Sequence, residues 1–209
     1  MGLIGLILVA LLVAGVVAAV NRRGAGTRTE DVRAEADQLV ARLGGAITNL
    51  DGAGNVAATQ ALADAAERHG AALTQLISAR TGTQFRLVGR TAVEGLHYIR
   101  AARVALDMDP GPDLPAIAGD VLTQQHATVV GGQEYTASPR PGDGTPYYYP
   151  GGLVGGRQVP AGWYSQPWWR TALVAGAAGA GGMLLMDALL GEMHPGQMMG
   201  DGFGDNGLF

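Results

Sequence analysis

TRTEDVRAEADQLVARLGGAITNL, running from Thr27 to Leu50, is the stretch whose reading decides the fold. Val32, Ala36, Leu39, Val40, Leu43, Ile47 and Leu50 recur at spacings of three and four, while Asp31, Arg33, Glu35, Asp37 and Arg42 fall mainly elsewhere. That is the period of an amphipathic helix with one apolar face. Thr27 followed three residues later by Glu30 has the form of a capping box and predicts the helix start. Asp51-Gly52-Ala53-Gly54 ends the helix, and Asn55 offers an N-cap for the next.

Downstream, Leu62, Ala66, His69, Leu73, Leu76 and Ile77 form the stripe expected of a second helix reaching about Arg80, with Asp64 and Arg68 paired on its outside. After Thr81-Gly82-Thr83 a third stripe follows through Phe85, Val88, Ala92, Leu96, Ile99, Ala102 and Leu106. Arg90–Glu94 and Arg103–Asp107 also have helical pair spacing. Gly82 is compatible with a turn or with one continuous rod, since a glycine costs only ~1 kcal/mol inside a helix. Asp109 before Pro110, and then Pro110-Gly111-Pro112, stop the pattern. Residues 27–109 therefore read as a helical hairpin or three-helix bundle with Leu43, Leu73 and Leu96 in its core.

From 110 to 167 the chain is rich in proline and glycine, and two segments resemble each other: Val129-Val130-Gly131-Gly132-Gln133-Glu134-Tyr135 and Leu153-Val154-Gly155-Gly156-Arg157-Gln158-Val159. Gly-Gly between short extended runs is a hairpin signal, because both turn residues can take positive φ. Two short β-hairpins are expected. So small a sheet must rest on something else.

Both ends are apolar. Gly2 to Val20 carries no charge, and at ~1.5 Å per residue it approaches the ~30 Å thickness of a bilayer core. Arg22 and Arg23 follow it directly, so 1–21 reads as an uncleaved transmembrane anchor with the chain beyond it cytoplasmic. All 14 basic residues are arginines lying between Arg22 and Arg170, which supports the same side assignment at the cell membrane. A weaker apolar segment, 168–191, reads as a Gly/Ala-rich C-terminal transmembrane helix despite Asp187. Trp163, Tyr164, Trp168, Trp169 and Arg170 before it have the composition of a headgroup-level belt. Within it, Ala172, Gly176 and Ala180, with Gly179 and Gly182, offer small-xxx-small rows for close helix packing. Residues 192–209 form an acidic tail rich in methionine and glycine.

The anchor, EGLHYIRAARVALDMDPGP (94–112), YYYPGGLVGG (147–156), VPAGWYSQPWWRTAL (159–173) and the glycine-rich apolar tail together resemble a family of actinobacterial membrane-anchored proteins of unknown function. The resemblance implies a type of host and brings no activity or catalytic residues.

Chemistry-bearing patterns are sparse. Without cysteine there are no disulfides, thiolate nucleophiles or thiolate metal sites. His69, His97, His126 and His194 lack the partners of a helical metal motif; His69 reads as a core histidine and His97 as a surface partner of Glu94. Gly176 to Gly182 lacks the lysine and hydroxyl of a phosphate loop. Asp201 to Gly207 suggests a calcium loop, but Phe203 occupies a position that needs an oxygen ligand and the closing glutamate is missing. Met193, His194, Met198 and Met199 would suit copper(I), but so short a cluster reads more simply as methionine in a flexible tail, and no metal is assigned. Nor is any cofactor or catalytic residue. A formal charge of −4 offers no basic surplus for nucleic acid. The expectation is a mainly α, non-enzymatic membrane-anchored scaffold or accessory subunit, its partners the lipid bilayer and a second protein or second copy. The alternative is a membrane-bound ligand or metal sensor.

Overall fold

A computed structural model of the protein describes residues 26–117 and 119–170. The anchor, the packing row Ala172, Gly176, Gly179, Ala180 and Gly182, and the Met/His tail all lie outside the described residues. Among the described residues there are three long helices and six short strands. They are α1 (26–48), α2 (Val56–Ser78), α3 (Gly82–Ala105), β1 (His126–Val130), β2 (Gln133–Ser138), β3 (Tyr147–Tyr149), β4 (Gly152–Val154), β5 (Arg157–Val159) and β6 (Gly162–Tyr164). No helix among them is long and apolar enough to cross a membrane.

The chain divides into two compact units. The first contains 26–51, Leu62–Ala101 and Pro110–Pro115, and here the stripes of α1 and α3 are buried. Ala36, Val40 and Leu43 of α1 are buried, as are Phe85, Val88, Ala92, Leu96 and Ile99 of α3. Glycine sets how closely the helices approach. A Cβ on Gly95 of α3 would stand 2.3 Å from Leu43 Cδ2 and 3.2 Å from Arg68 Cβ, and one on Gly44 would meet His69 Nε2 at 2.8 Å. Each helix thus touches the other two. The arrangement is a three-helix one, with Gly82 opening a separate helix.

Local rules account for the helix ends, with one correction. Gly26 is already helical, so Thr27 sits inside α1 and does not cap it. Asn55 caps α2 as expected, its Oδ1 accepting the Ala58 amide at 2.9 Å. Between α2 and α3, Arg80 donates to the Ile77 and Ala79 carbonyls at 2.8 and 2.7 Å. Thr81 and Gln84 then form a capping box: the Gln84 amide donates to Thr81 Oγ1 at 3.3 Å, and the Thr81 amide to Gln84 Oε1 at 3.0 Å. At the far end Asp107 takes φ 56°. The amides of Asp107 and Met108 return to the carbonyls of Val104 and Arg103, the pattern of a Schellman stop. Pro110–Pro115 then folds back along α3, held by Arg100 donating to Gly111 O at 3.0 Å and by His97 Nε2 donating to Pro115 O at 3.0 Å.

The second unit contains Gly52–Ala61, Ala102–Asp109 and 116–170. Both expected hairpins are present: β1 pairs with β2 across Gly131-Gly132, and β4 with β5 across Gly155-Gly156. All four glycines take positive φ, between 60° and 84°, as two-residue primed turns require. The sequence reading missed β3 and β6. They complete a four-stranded antiparallel sheet of order β1-β2-β6-β3, while β4–β5 stands as a separate pair.

Candidate functional site

In α2 the structure departs from the sequence reading. The buried face is built from alanine: Ala58, Ala61, Ala65 and Ala72 are each 0% exposed. The helix is rotated from the face expected, so Leu62, His69 and Leu76 are half-buried, Ala66 is exposed, and Leu73 and Ile77 are 41% and 76% exposed. Leu73 therefore does not belong to the core with Leu43 and Leu96. The approach of α2 to α3 is close, with Arg68 Cβ 3.2 Å from where a Gly95 Cβ would lie, and alanines fill the buried face of α2. Small residues allow the approach, and the large apolar ones turn outward.

Polar groups occupy the seam between α2 and α3. Asp64, expected on the outside, is 4% exposed. Arg68 pairs across the seam with Glu94 at 3.6 Å, so Glu94 is engaged by neither Arg90 nor His97 as the spacings suggested. Burial opposes the Arg68 charge, but the buried Tyr98 and Glu94 outweigh it and hold the guanidinium above its ordinary pKa. One turn away, Thr91 Oγ1 lies 3.0 Å from Gln75 Oε1 and 3.1 Å from Leu87 O, two acceptors for its one proton. None of Gln75, Thr91 and Tyr98 stood out in sequence. The remaining expected pair, Arg103 with Asp107, is replaced by Arg103 donating to the Asp109 carbonyl.

What α2 presents outward is an apolar pair at i,i+4, Leu73 and Ile77. On α3, Leu87 is also 45% exposed. A lone exposed leucine would be ordinary. A helix that buries its alanines and exposes its larger aliphatic side chains is not.

The aromatic belt lies differently from its sequence reading. β6 is the central strand, buried on both faces, and it pairs Tyr164 with Ala137 and Tyr147, and Trp163 with Ser138 and Tyr148. Trp163, Tyr164 and Trp169 are each 2% exposed, inside the sheet unit, where a headgroup-level belt would need them on the surface. Trp163 packs on Tyr148 at 5.2 Å, and Trp169 lies 5.1 Å from Tyr149 and 5.3 Å from Tyr164. Trp168 is half-buried, 5.8 Å from Trp169, and only Arg170 of the five is exposed. Such tilted and edge-on contacts suit aromatic quadrupoles and supply much of this small core. The Tyr164 hydroxyl donates to Pro160 O at 2.7 Å, and burial pushes its pKa above the ordinary phenol value. Gly162 makes room for the cluster, since a Cβ there would stand 2.3 Å from Leu122 Cδ1.

The histidines are dispersed: His69 packs on Gly44, His97 bonds Pro115, and His126 opens β1. Among the described residues, no group of three or more His, Asp or Glu could hold a metal ion. No known protein family matches the chain, and neither a curated protein nor a solved structure is detectably similar to it.

Proposed function

We propose that this protein is a non-enzymatic, membrane-anchored scaffold or accessory subunit that acts through protein–protein contacts. Gly2 to Val20 is its anchor in the bilayer, and the helical and sheet units lie on the cytoplasmic side, as Arg22 and Arg23 argue. The observation that carries the reading is the outward-facing Leu73–Ile77 pair on α2. Spacing of i,i+4 is how one amphipathic helix engages the apolar stripe of another. The occupant is a helix of a partner protein with its own apolar stripe.

The test is in-cell cross-linking of wild-type chain and the double variant Leu73→Asp/Ile77→Asp. Both positions are exposed, so helicity should be unchanged by circular dichroism. The expected result is a stoichiometric cross-linked heteromer that the double variant loses. A wild-type heteromer that persists in the variant would overturn the docking face, and a cross-linked species of two identical chains would replace the partner with a second copy. Single cysteines at the exposed Asn49 and Glu134 should stay unlabelled by an impermeant thiol reagent in intact cells. Labelling would place the domain outside.

A further inference from the structure

Beside the end of β2 the sheet unit contains an open groove of about 700 Å³. One wall is the approach to β1, with Thr123, Gln124 and Gln125, and the floor is Thr136 and Ser138 of β2. The other wall is the loop that carries Arg140. Among the described residues that line it, Arg140 is the one charged side chain and none is a carboxylate.

The Arg140 loop is held in place before any ligand arrives. Pro139 and Pro141 flank the arginine and restrict the backbone on both sides of it. The Arg140 amide donates to Ser138 Oγ at 3.2 Å, and the turn beyond is closed by the Thr145 amide on Gly142 O at 2.9 Å. Thr145 itself is 6% exposed. The Arg140 side chain, by contrast, is exposed and makes no hydrogen bond or ion pair with another described residue.

This lining selects a class of ligand. An apolar molecule would strip water from hydroxyls and amides without replacing its hydrogen bonds. A cation would meet Arg140 and find no carboxylate. An anion gains the fork of a guanidinium, whose donors match phosphate oxygens two at a time. The groove is much larger than a phosphate group. Beside Pro139, Pro141 and two glycines, its walls carry the hydroxyls of Thr123, Thr136, Ser138 and Thr145 and the amides of Gln124 and Gln125, which donate and accept alike and so fit the hydroxyls of a polyol. We propose that this groove binds the phosphate ester of a polyol, with Arg140 on the phosphate and Thr123, Gln124, Gln125 and Thr136 on the hydroxyl-bearing carbons. Two sources share that chemistry: a free sugar phosphate and the headgroup of a glycerophospholipid.

Isothermal titration calorimetry separates them, using the full chain in phosphatidylcholine nanodiscs and again in nanodiscs containing phosphatidylglycerol. The probes are glucose 6-phosphate, glucose and inorganic phosphate. Glucose 6-phosphate should bind saturably and more tightly than either half, and Arg140→Gln should weaken it tenfold or more, the loss of one charge-assisted contact. Arg140 is exposed, so the variant should melt with the wild type. Replacing both Gln124 and Gln125 with alanine should bring glucose 6-phosphate down toward inorganic phosphate. Equal affinity in the two nanodiscs identifies a free sugar phosphate; competition by phosphatidylglycerol identifies the headgroup. Absence of saturable binding in both nanodiscs, or an Arg140→Gln variant that binds as tightly as wild type, would overturn the assignment.

Discussion

The contact between Leu43 and Gly95 predicts a specific energetic coupling between α1 and α3. Leu43 is 0% exposed, and a methyl on Gly95 would stand 2.3 Å from its Cδ2 and 3.0 Å from its Cδ1. Leu43→Ala removes a fully buried isobutyl group's worth of packing and should cost about 2–5 kcal/mol, transfer and cavity together. Gly95→Ala has two opposing effects. It gains ~1 kcal/mol of helix propensity and loses about 1–3 kcal/mol to overpacking, because Leu43 is enclosed and cannot swing aside. The net for Gly95→Ala alone is a loss of about 0–2 kcal/mol. In the Leu43→Ala background the clash with leucine is gone and only Arg68 Cβ, at 3.2 Å, remains close, so the same substitution should stabilise by up to about 1 kcal/mol. The double-mutant cycle should therefore show a coupling of about 1–3 kcal/mol, with the double variant more stable than Leu43→Ala alone. Urea denaturation of residues 26–170, followed by far-ultraviolet circular dichroism, measures all four corners. A Gly95→Ala effect that is the same in both backgrounds would refute the close approach of α1 and α3 at this point.

Two further outcomes are expected from the sheet unit. Tyr164 is held protonated by burial, with Tyr149 and Tyr148 adding to the effect. Below about pH 10 the folded and unfolded chains bind this proton alike; above it only the unfolded chain releases it, so stability should fall as pH rises. Tyr164→Phe should lose about 0.5–1.5 kcal/mol with the Pro160 hydrogen bond and should flatten the alkaline slope; an unchanged slope would show that another group causes it. In the β1–β2 turn, Gly132 has φ 82° and no neighbour within 4 Å of where a Cβ would lie. Gly132→Ala should therefore cost about 1–2 kcal/mol from backbone conformation alone, while Gly131→Asn, the residue primed turns prefer, should be close to neutral in the same denaturation experiment. Equal losses for the two would argue against a primed turn.

How much of this protein is legible in the sequence depends on how far apart the deciding residues are. The stripes of α1 and α3, the Asn55 cap and both Gly-Gly hairpins are local: a period of 3.6, a side chain three residues from its amide, or two glycines that must take positive φ. Thr81-Gly82-Thr83-Gln84 carried a capping box of the same kind, and reading it would have separated α2 from α3 without any structure. Thr27 and Glu30 carried that pattern too, yet Thr27 is already helical, and an N-cap residue must itself take a non-helical conformation.

What the tertiary structure decided were the contacts between distant residues. Periodicity places Leu73 and Ala72 on neighbouring faces of α2 but cannot say which face is inside. The tertiary packing decides it, burying the alanines of α2 and turning Leu73 and Ile77 outward. The polar seam of Arg68, Glu94, Gln75 and Thr91 has no local signature either, since its partners sit on different helices, 16 or more residues apart. The aromatic run before Arg170 is the clearest case. Tryptophan and tyrosine have an apolar body and a polar tip, so in sequence they fit a membrane surface and a compact core equally well. Only the pairing of β6 with β2 and β3 chooses the core. The Arg140 groove has the same origin: its walls come from two separate stretches, 123–125 and 136–145, that the fold brings together.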